Sequence, residues 1–435
     1  MSAAGVAAAG EPAAELVDAG GHPGDPGAVG ADDGAGEHRV AHREPGLAVP
    51  DDQDEPYVAP RPTAGATTVD PDGAAQTLQR LTTALGRRDR AAATALAAAD
   101  DTATLDRLGE LVDVATRARL TDVALRYVDA DGGPAADGTW TAAVDVTWSY
   151  AGFDPEPSST EVSFRFRSTP AGVVVAGIGG GTLRTPVWMS GPLQVSRTPD
   201  LLVVAADGVD LATYVRRARA AVPTVSSVVR TWRPRLVVEV PADVAGLEAA
   251  LGAEDGYYAQ IAAVTGSGGT IEAGASTHVF VNPDVFDGLG KDGQDVVLAH
   301  EATHVATDAP LSEAPTWLTE GFADYVALRR TTLPLTRTAG QVARQVRDDG
   351  LPTALPTSAE FDTGGPHLGA VYEASWLACV ALARRRGPEA LLRLYESVSG
   401  GQPLAAELRR DFGWSEADLL SRWRRQLAAL PGAGA

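Results

Sequence analysis

The spacing of apolar residues changes abruptly along this chain, and that pattern restricts its fold more than any other feature. Residues 1–72 are rich in Ala, Gly, Pro, Asp and Glu and hold few large apolar residues. Such a segment cannot bury enough surface to offset the entropy of ordering, so a disordered acidic leader is expected there. In "AAQTLQRLTTALGRRDRAAATALAAA", Leu78, Leu81, Leu85, Ala92 and Leu96 then follow helical spacing, with a break at Gly86–Asp89. "TLDRLGELVDVATRARL" is a further amphipathic helix. The period next drops to two in "RLTDVALRYVDA", "TWTAAVDVTWSYAG", "STEVSFRFRST" and "GVVVAGIGG", each bounded by Gly, Pro or Asp turns. Helices followed by four meandering strands predict a small α+β domain over 73–183.

"GGGTLRTPVWMSGP" is read as a linker. A second unit, 190–430, opens with strand "DLLVVAAD", helix "LATYVRRARAAVPTVSSVV", strand "RLVVEVPA", helix "VAGLEAALG" and strand "STHVFVNP". Beyond these the pattern is helical, over 292–307, 315–330, 338–347, 367–386, 388–398, 403–411 and 415–429. The fold class expected is therefore α+β: a leader, a small α+β module, then an α/β lobe followed by a helical lobe. In element order alone, the 73–183 segment resembles the cone-shaped ketosteroid-isomerase-like fold, which often serves as a non-catalytic accessory module.

Charge and cysteine usage exclude several functions. The net charge of -21 argues against nucleic acid as a partner, because a phosphate binder needs a basic face. Residues 1–73 carry fourteen Asp/Glu against three Arg, about half of that net charge. A single cysteine, Cys379, rules out an internal disulfide, and its apolar surroundings make it a core residue. No run approaches the roughly 18–20 apolar residues of a membrane span. "MSAAGVAAAGEPAAELVDAGG" has no basic n-region and no compact apolar core, so it is not read as a signal peptide. The expectation is a soluble chain, cytoplasmic by default and exported only if a targeting segment precedes Met1.

The chemistry concentrates in "VVLAHEATHVAT". Val296, Val297, His300, His304 and Thr307 recur at helical spacing, and Pro310 ends the helix. His300 and His304 therefore project from one face, one turn apart, as two imidazole ligands of a single Zn²⁺. Glu301 is rotated by about 100° from His300, off the ion but close enough to act as general base on water activated there. This is the H-E-x-x-H arrangement, and catalytic zinc requires a third protein ligand and an open position. Downstream, "PTWLTEGFADY" places Glu320 and, one turn on, Asp324 on a second helix. An acid at Asp324 can accept the free N–H of a ligand histidine. His278 is read as an ordinary strand residue.

"HEATH" followed by "WLTEGFADY" resembles the gluzincin zinc metallopeptidases, in particular the peptidase MA-like branch. The resemblance covers about 190–430 and is most specific at 300–325. It implies one Zn²⁺ per chain on His300, His304 and Glu320, with Glu301 as base and Asp324 behind a ligand. It also implies a tyrosine on a downstream helix to stabilise the oxyanion. In "PHLGAVYEASWLACVALARRRG" that tyrosine is Tyr372, preferred over His367. The strand "STHVFVNP", just before the zinc helix, is expected to be a sheet edge that pairs with an extended peptide or protein substrate. No amine-binding motif stands out near 265–282, which favours internal cleavage. Two other functions compete: a binding or scaffolding protein on a peptidase fold, and a metal-dependent hydrolase of a non-peptide amide. An intact Glu301 argues against the first.

Overall fold

A proline-led helix opens the described part of the chain. In α1 (Pro71–Arg87) the Asp70 side chain accepts a hydrogen bond from Gly73 N at 2.9 Å, and Ala74, Leu78, Leu81 and Leu85 form the buried stripe. The computed structural model describes residues 68–269, 276–362 and 367–432, all within one compact unit. The expected leader up to residue 67 lies outside them. α2 (Arg90–Thr94) and α3 (Thr102–Arg117) follow, each capped by an aspartate, Asp89 and Asp101. The chain then runs through β1 (Leu120–Asp131), β2 (Thr139–Tyr150), β3 (Ser158–Thr169) and β4 (Gly172–Ile178), an antiparallel sheet in sequential order. Its period-two pattern is physical. In β2, Trp140, Ala142, Val144, Val146 and Trp148 point inward.

The linker region carries a short helix, α4 (Val187–Ser190), with Trp188 and Met189 fully buried. A second, mixed sheet follows: β5 (Leu193–Arg197), β6 (Leu201–Ala206), β7 (Leu236–Val240), β8 (Ala263–Gly266) and β9 (His278–Val281), in the order β5-β6-β7-β9-β8. α5 (Leu211–Ser226) crosses from β6 to its parallel neighbour β7, and α6 (Val244–Leu251) follows β7. Two strands differ from expectation. β5 forms just after the expected linker, in a stretch to which no element was assigned. The strand "STHVFVNP" is interior rather than the edge, because the unanticipated β8 pairs outside it, antiparallel, with Val264 opposite Phe280. β8 is only four residues long, ends on Gly266 and runs straight into Ser267, Gly268 and Gly269, which leaves little periodicity to read.

Every residue of β6, β7 and β9 is buried, so the second sheet is covered on both faces. Val203, Val238 and Val279 face a core shared with α5 and the later helices. Leu202, Val204, Val237 and Phe280 face the other way, into a core that also holds Leu78, Val144, Trp148 and Trp188. The four-stranded sheet and its helices thus cover one face of the second sheet through a continuous apolar core.

The helical part comprises α7 (Pro283–Phe286), α8 (Lys291–Ala306), α9 (Thr316–Ala327), α10 (Leu335–Thr338), α11 (Gly340–Asp349), α12 (Leu368–Arg386), α13 (Pro388–Ser399), α14 (Leu404–Glu407) and α15 (Glu416–Ala428). The expected segments lie on these helices with ends shifted by a few residues. Cys379 is buried on α12. Among the described residues, no helix is long and apolar enough to cross a membrane.

A sealed polar cluster lies where the two sheets meet. The His278 ring sits between Glu239 Oε1, 2.7 Å from Nδ1, and Asp154 Oδ1, 2.9 Å from Nε2. The Tyr150 hydroxyl donates to Glu239 Oε2 at 3.4 Å. His278 is therefore a buried ion-pairing residue rather than an ordinary strand position. Burial alone would lower its pKa, but Asp154 and Glu239 outweigh burial and raise it to about 10 from 6.5. With the folded value above the unfolded one, the stabilisation is complete below about pH 6.5 and is lost as pH rises through about 10. His278→Gln should therefore melt well below the parent near pH 7, and the gap should narrow as pH approaches 10. Thermal midpoints measured across that range check this, and a constant gap would refute the ion pairing.

Candidate metal centre

α8 begins at Gly290 without a side-chain cap, but Asp292 in its first turn complements the positive end of the helix. From Val297 to His304 every residue is buried, so the helix runs through the core rather than along the surface. Its end is set by Thr307, whose hydroxyl donates to Thr303 O at 2.9 Å, and by Asp308 in the left-handed region. α9 starts after Pro315 and is buried from Trp317 to Asp324.

The two helices bring three ligand atoms to one point. His300 and His304 stand edge-on, ring centroids 4.6 Å apart, with their Nε2 atoms separated by 2.9 Å. Glu320 Oε2 lies 3.2 Å from His300 Nε2 and 3.3 Å from His304 Nε2. Ligands at about 2.0–2.1 Å from a tetrahedral zinc would be about 3.3 Å apart, close to the edges of this triangle. The donor set, two imidazoles and one carboxylate, is compatible with zinc. Among the described residues, these three form the cluster able to hold a metal ion, and all are buried. Asp324 Oδ1 is 2.7 Å from His300 Nδ1, which fixes the ring and turns Nε2 toward the centre.

Glu301 is fully buried on the adjoining face of α8. Its Oε2 accepts a hydrogen bond from the Thr265 hydroxyl at 2.6 Å, while Oε1 has no partner among the protein groups. Burial pushes the Glu301 carboxyl up, against the nearby imidazoles and Thr265. For Glu320 burial acts the same way, but His304 and His300 outweigh it and hold the group down at about 2.

Tyr372, on α12, packs edge-on against His300 with centroids 6.3 Å apart, and against Phe361 at 5.2 Å. His367 is exposed at the start of the same helix. A cavity of about 670 Å³ lies behind the His300 ring, with Asp324 and Tyr372 in its wall beside Val285, Leu289, Val296 and Leu328, and His300, Glu301, His304 and Glu320 are not among the residues that line it. The wall also holds Glu373, which burial pushes up to about 7 against the backbone N–H of Val342.

Two contributors escaped the sequence reading. Thr265 belongs to the overlooked β8; the run "AAVTG", β-branched and ended by glycine, was the available signal. Gly321 follows a ligand directly, and a Cβ there would overlap the Ser375 carbonyl of α12 and crowd Cys379 Sγ. That close approach carries α9, and with it Glu320 and Asp324, against α12.

No protein-family model matches this chain, and no curated protein matches it. Among solved structures it is similar to an M1 zinc metallopeptidase mutant from Deinococcus radiodurans bound to a Tyr-Ser-Ala substrate. The identity is 13% and the TM-score 0.32, covering 72% of this chain and 64% of that one. It is similar at the same identity and TM-score to a two-domain M1 zinc metallopeptidase mutant bound to L-arginine, covering 71% and 64%. The chain thus spans less than two thirds of either, and likeness of this size leaves the site to be read from its own geometry.

Two substitutions check the arrangement. Gly321→Ala should destabilise the fold by about 1–3 kcal/mol, the cost of forcing a methyl into a packed helix contact, read by urea denaturation. Asp324→Ala should weaken zinc binding about 10- to 100-fold, measured by competition with a chromophoric chelator. Unchanged affinity would show that the His300 ring needs no such anchor.

Proposed function

We propose that this chain is a zinc-dependent peptidase that cleaves peptide or protein substrates. The observation that carries the reading is the buried His300–His304–Glu320 triangle beside a glutamate, Glu301, with one carboxylate oxygen unpartnered by protein. A solvated helical face would not bury these groups together, since each buried charge is costly unless paired or metal-bound. His300, His304 and Glu320 would hold one Zn²⁺ per chain. Bound there, the ion supplies Lewis-acid polarisation of an amide carbonyl and acidifies the attacking water.

The remaining work falls to side chains of this chain. Glu301 takes the proton of the attacking water on Oε1 and delivers it to the leaving amine nitrogen, so one carboxylate serves as base and then as acid. Asp324 keeps the His300 ring from rotating. Tyr372 is assigned to the oxyanion that develops on the scissile carbonyl, where a fixed hydroxyl donor strengthens as charge builds.

Glu301→Gln tests the assignment. The variant should retain about one zinc per chain by elemental analysis and lose peptide hydrolysis by about 100-fold or more. The parent protein should cleave a peptide library and stop cleaving on addition of a chelator. Zinc bound without any cleavage would instead indicate a binding protein, and cleavage of non-peptide amides alone a different hydrolase.

A further inference from the structure

We propose that Thr265 is the positioning residue for Glu301, dividing its two carboxylate oxygens into one held and one available for proton transfer. This rests on the hydrolytic reading above. Thr265 is buried, in register with Val279 across β8 and β9. Its hydroxyl lies 2.6 Å from Glu301 Oε2 and 3.1 Å from Glu301 O. A hydroxyl has one proton to give, and the short contact to the carboxylate has the length of a charge-assisted bond. The terminal torsion of a glutamate is broad, so a carboxylate held only by its own chain presents either oxygen in a range of orientations. A hydroxyl mounted on a strand removes that freedom and leaves Oε1 as the unpartnered atom.

The strand is itself fixed from the far side. Gly266, next to Thr265, pairs with His278, whose ring lies between Glu239 and Asp154. Two residues further on, a Cβ at Gly268 would crowd the Trp148 ring, and one at Gly269 would overlap the Ser159 backbone. Arg184 Nη1 also donates to Gly269 O at 3.0 Å. Contacts therefore run from the four-stranded sheet, through the C-terminal end of β8, to the carboxylate of Glu301. On this account the 73–183 module sets the orientation of the base.

The test compares the full zinc-loaded chain with Thr265→Val, which keeps the shape and removes the hydroxyl, and Thr265→Ser, which keeps the hydroxyl. The substrate is a quenched fluorescent peptide library. Thr265→Val should keep one zinc per chain and lose kcat by about 10- to 100-fold with KM within about twofold, as expected for a small misplacement of a reacting group. Thr265→Ser should recover most of the loss. Crystal structures of the zinc-loaded parent and valine variant should show the Glu301 carboxylate rotated or spread over orientations in the variant. A kcat equal to the parent's, failure of serine to rescue, or an unmoved Glu301 would each overturn the proposal. If the zinc-loaded parent cleaves nothing, the hydrolytic reading fails, and the paired crystal structures still decide whether Thr265 orients Glu301.

Discussion

Burying five ionisable side chains within two turns of helix is the constraint around which this molecule is arranged. Each of His300, Glu301, His304, Glu320 and Asp324 would be costly in an apolar interior alone. Together they are tolerable, because every carboxylate faces an imidazole or a hydroxyl and the imidazole nitrogens converge on one point. Such a cluster gains little stability over an apolar replacement of the same volume. Its value lies in geometry: three ligand atoms held close by helices that cannot slide, since α9 is packed to backbone contact with α12 at Gly321.

A second polar cluster serves the scaffold. His278 and Glu239 of the second sheet, Tyr150 of the first and Asp154 of the turn between β2 and β3 join the two sheets at their junction. Since β6, β7 and β9 are buried on both faces, removing the four-stranded sheet would expose Leu202, Val204, Val237 and Phe280 to water. At about 25 cal/mol per Å² of apolar surface, that exposure alone would be several kcal/mol. The small α+β module is therefore a wall of the α/β lobe as well as a segment with its own helices and strands.

Long, strongly periodic elements were legible in the sequence, and for a definite reason. α1, α3, β2, α13 and α15 each repeat their pattern over enough residues to distinguish a period of two from one of 3.6. The pair His300 and His304 was equally legible, because a spacing of four on a helix places two side chains on one face whatever surrounds it. Short strands were not. β5 and β8 contain five and four residues, and their pairing is decided by partners far along the chain. The identity of the edge strand followed from β8 and so was misassigned to the neighbouring β9.

The sequence by itself determined the residue types able to bind a metal, their spacing on helices, and the acidic, glycine- and alanine-rich character of the leader. These follow from local periodicity and from side-chain chemistry that travels with each residue. Tertiary structure alone decided that Glu320 meets both imidazoles, that Thr265 reaches Glu301, that His278 is locked between two acids, and that the two sheets share a core. Each of those contacts joins positions distant in the chain, where backbone direction and packing, rather than local pattern, set which atoms touch.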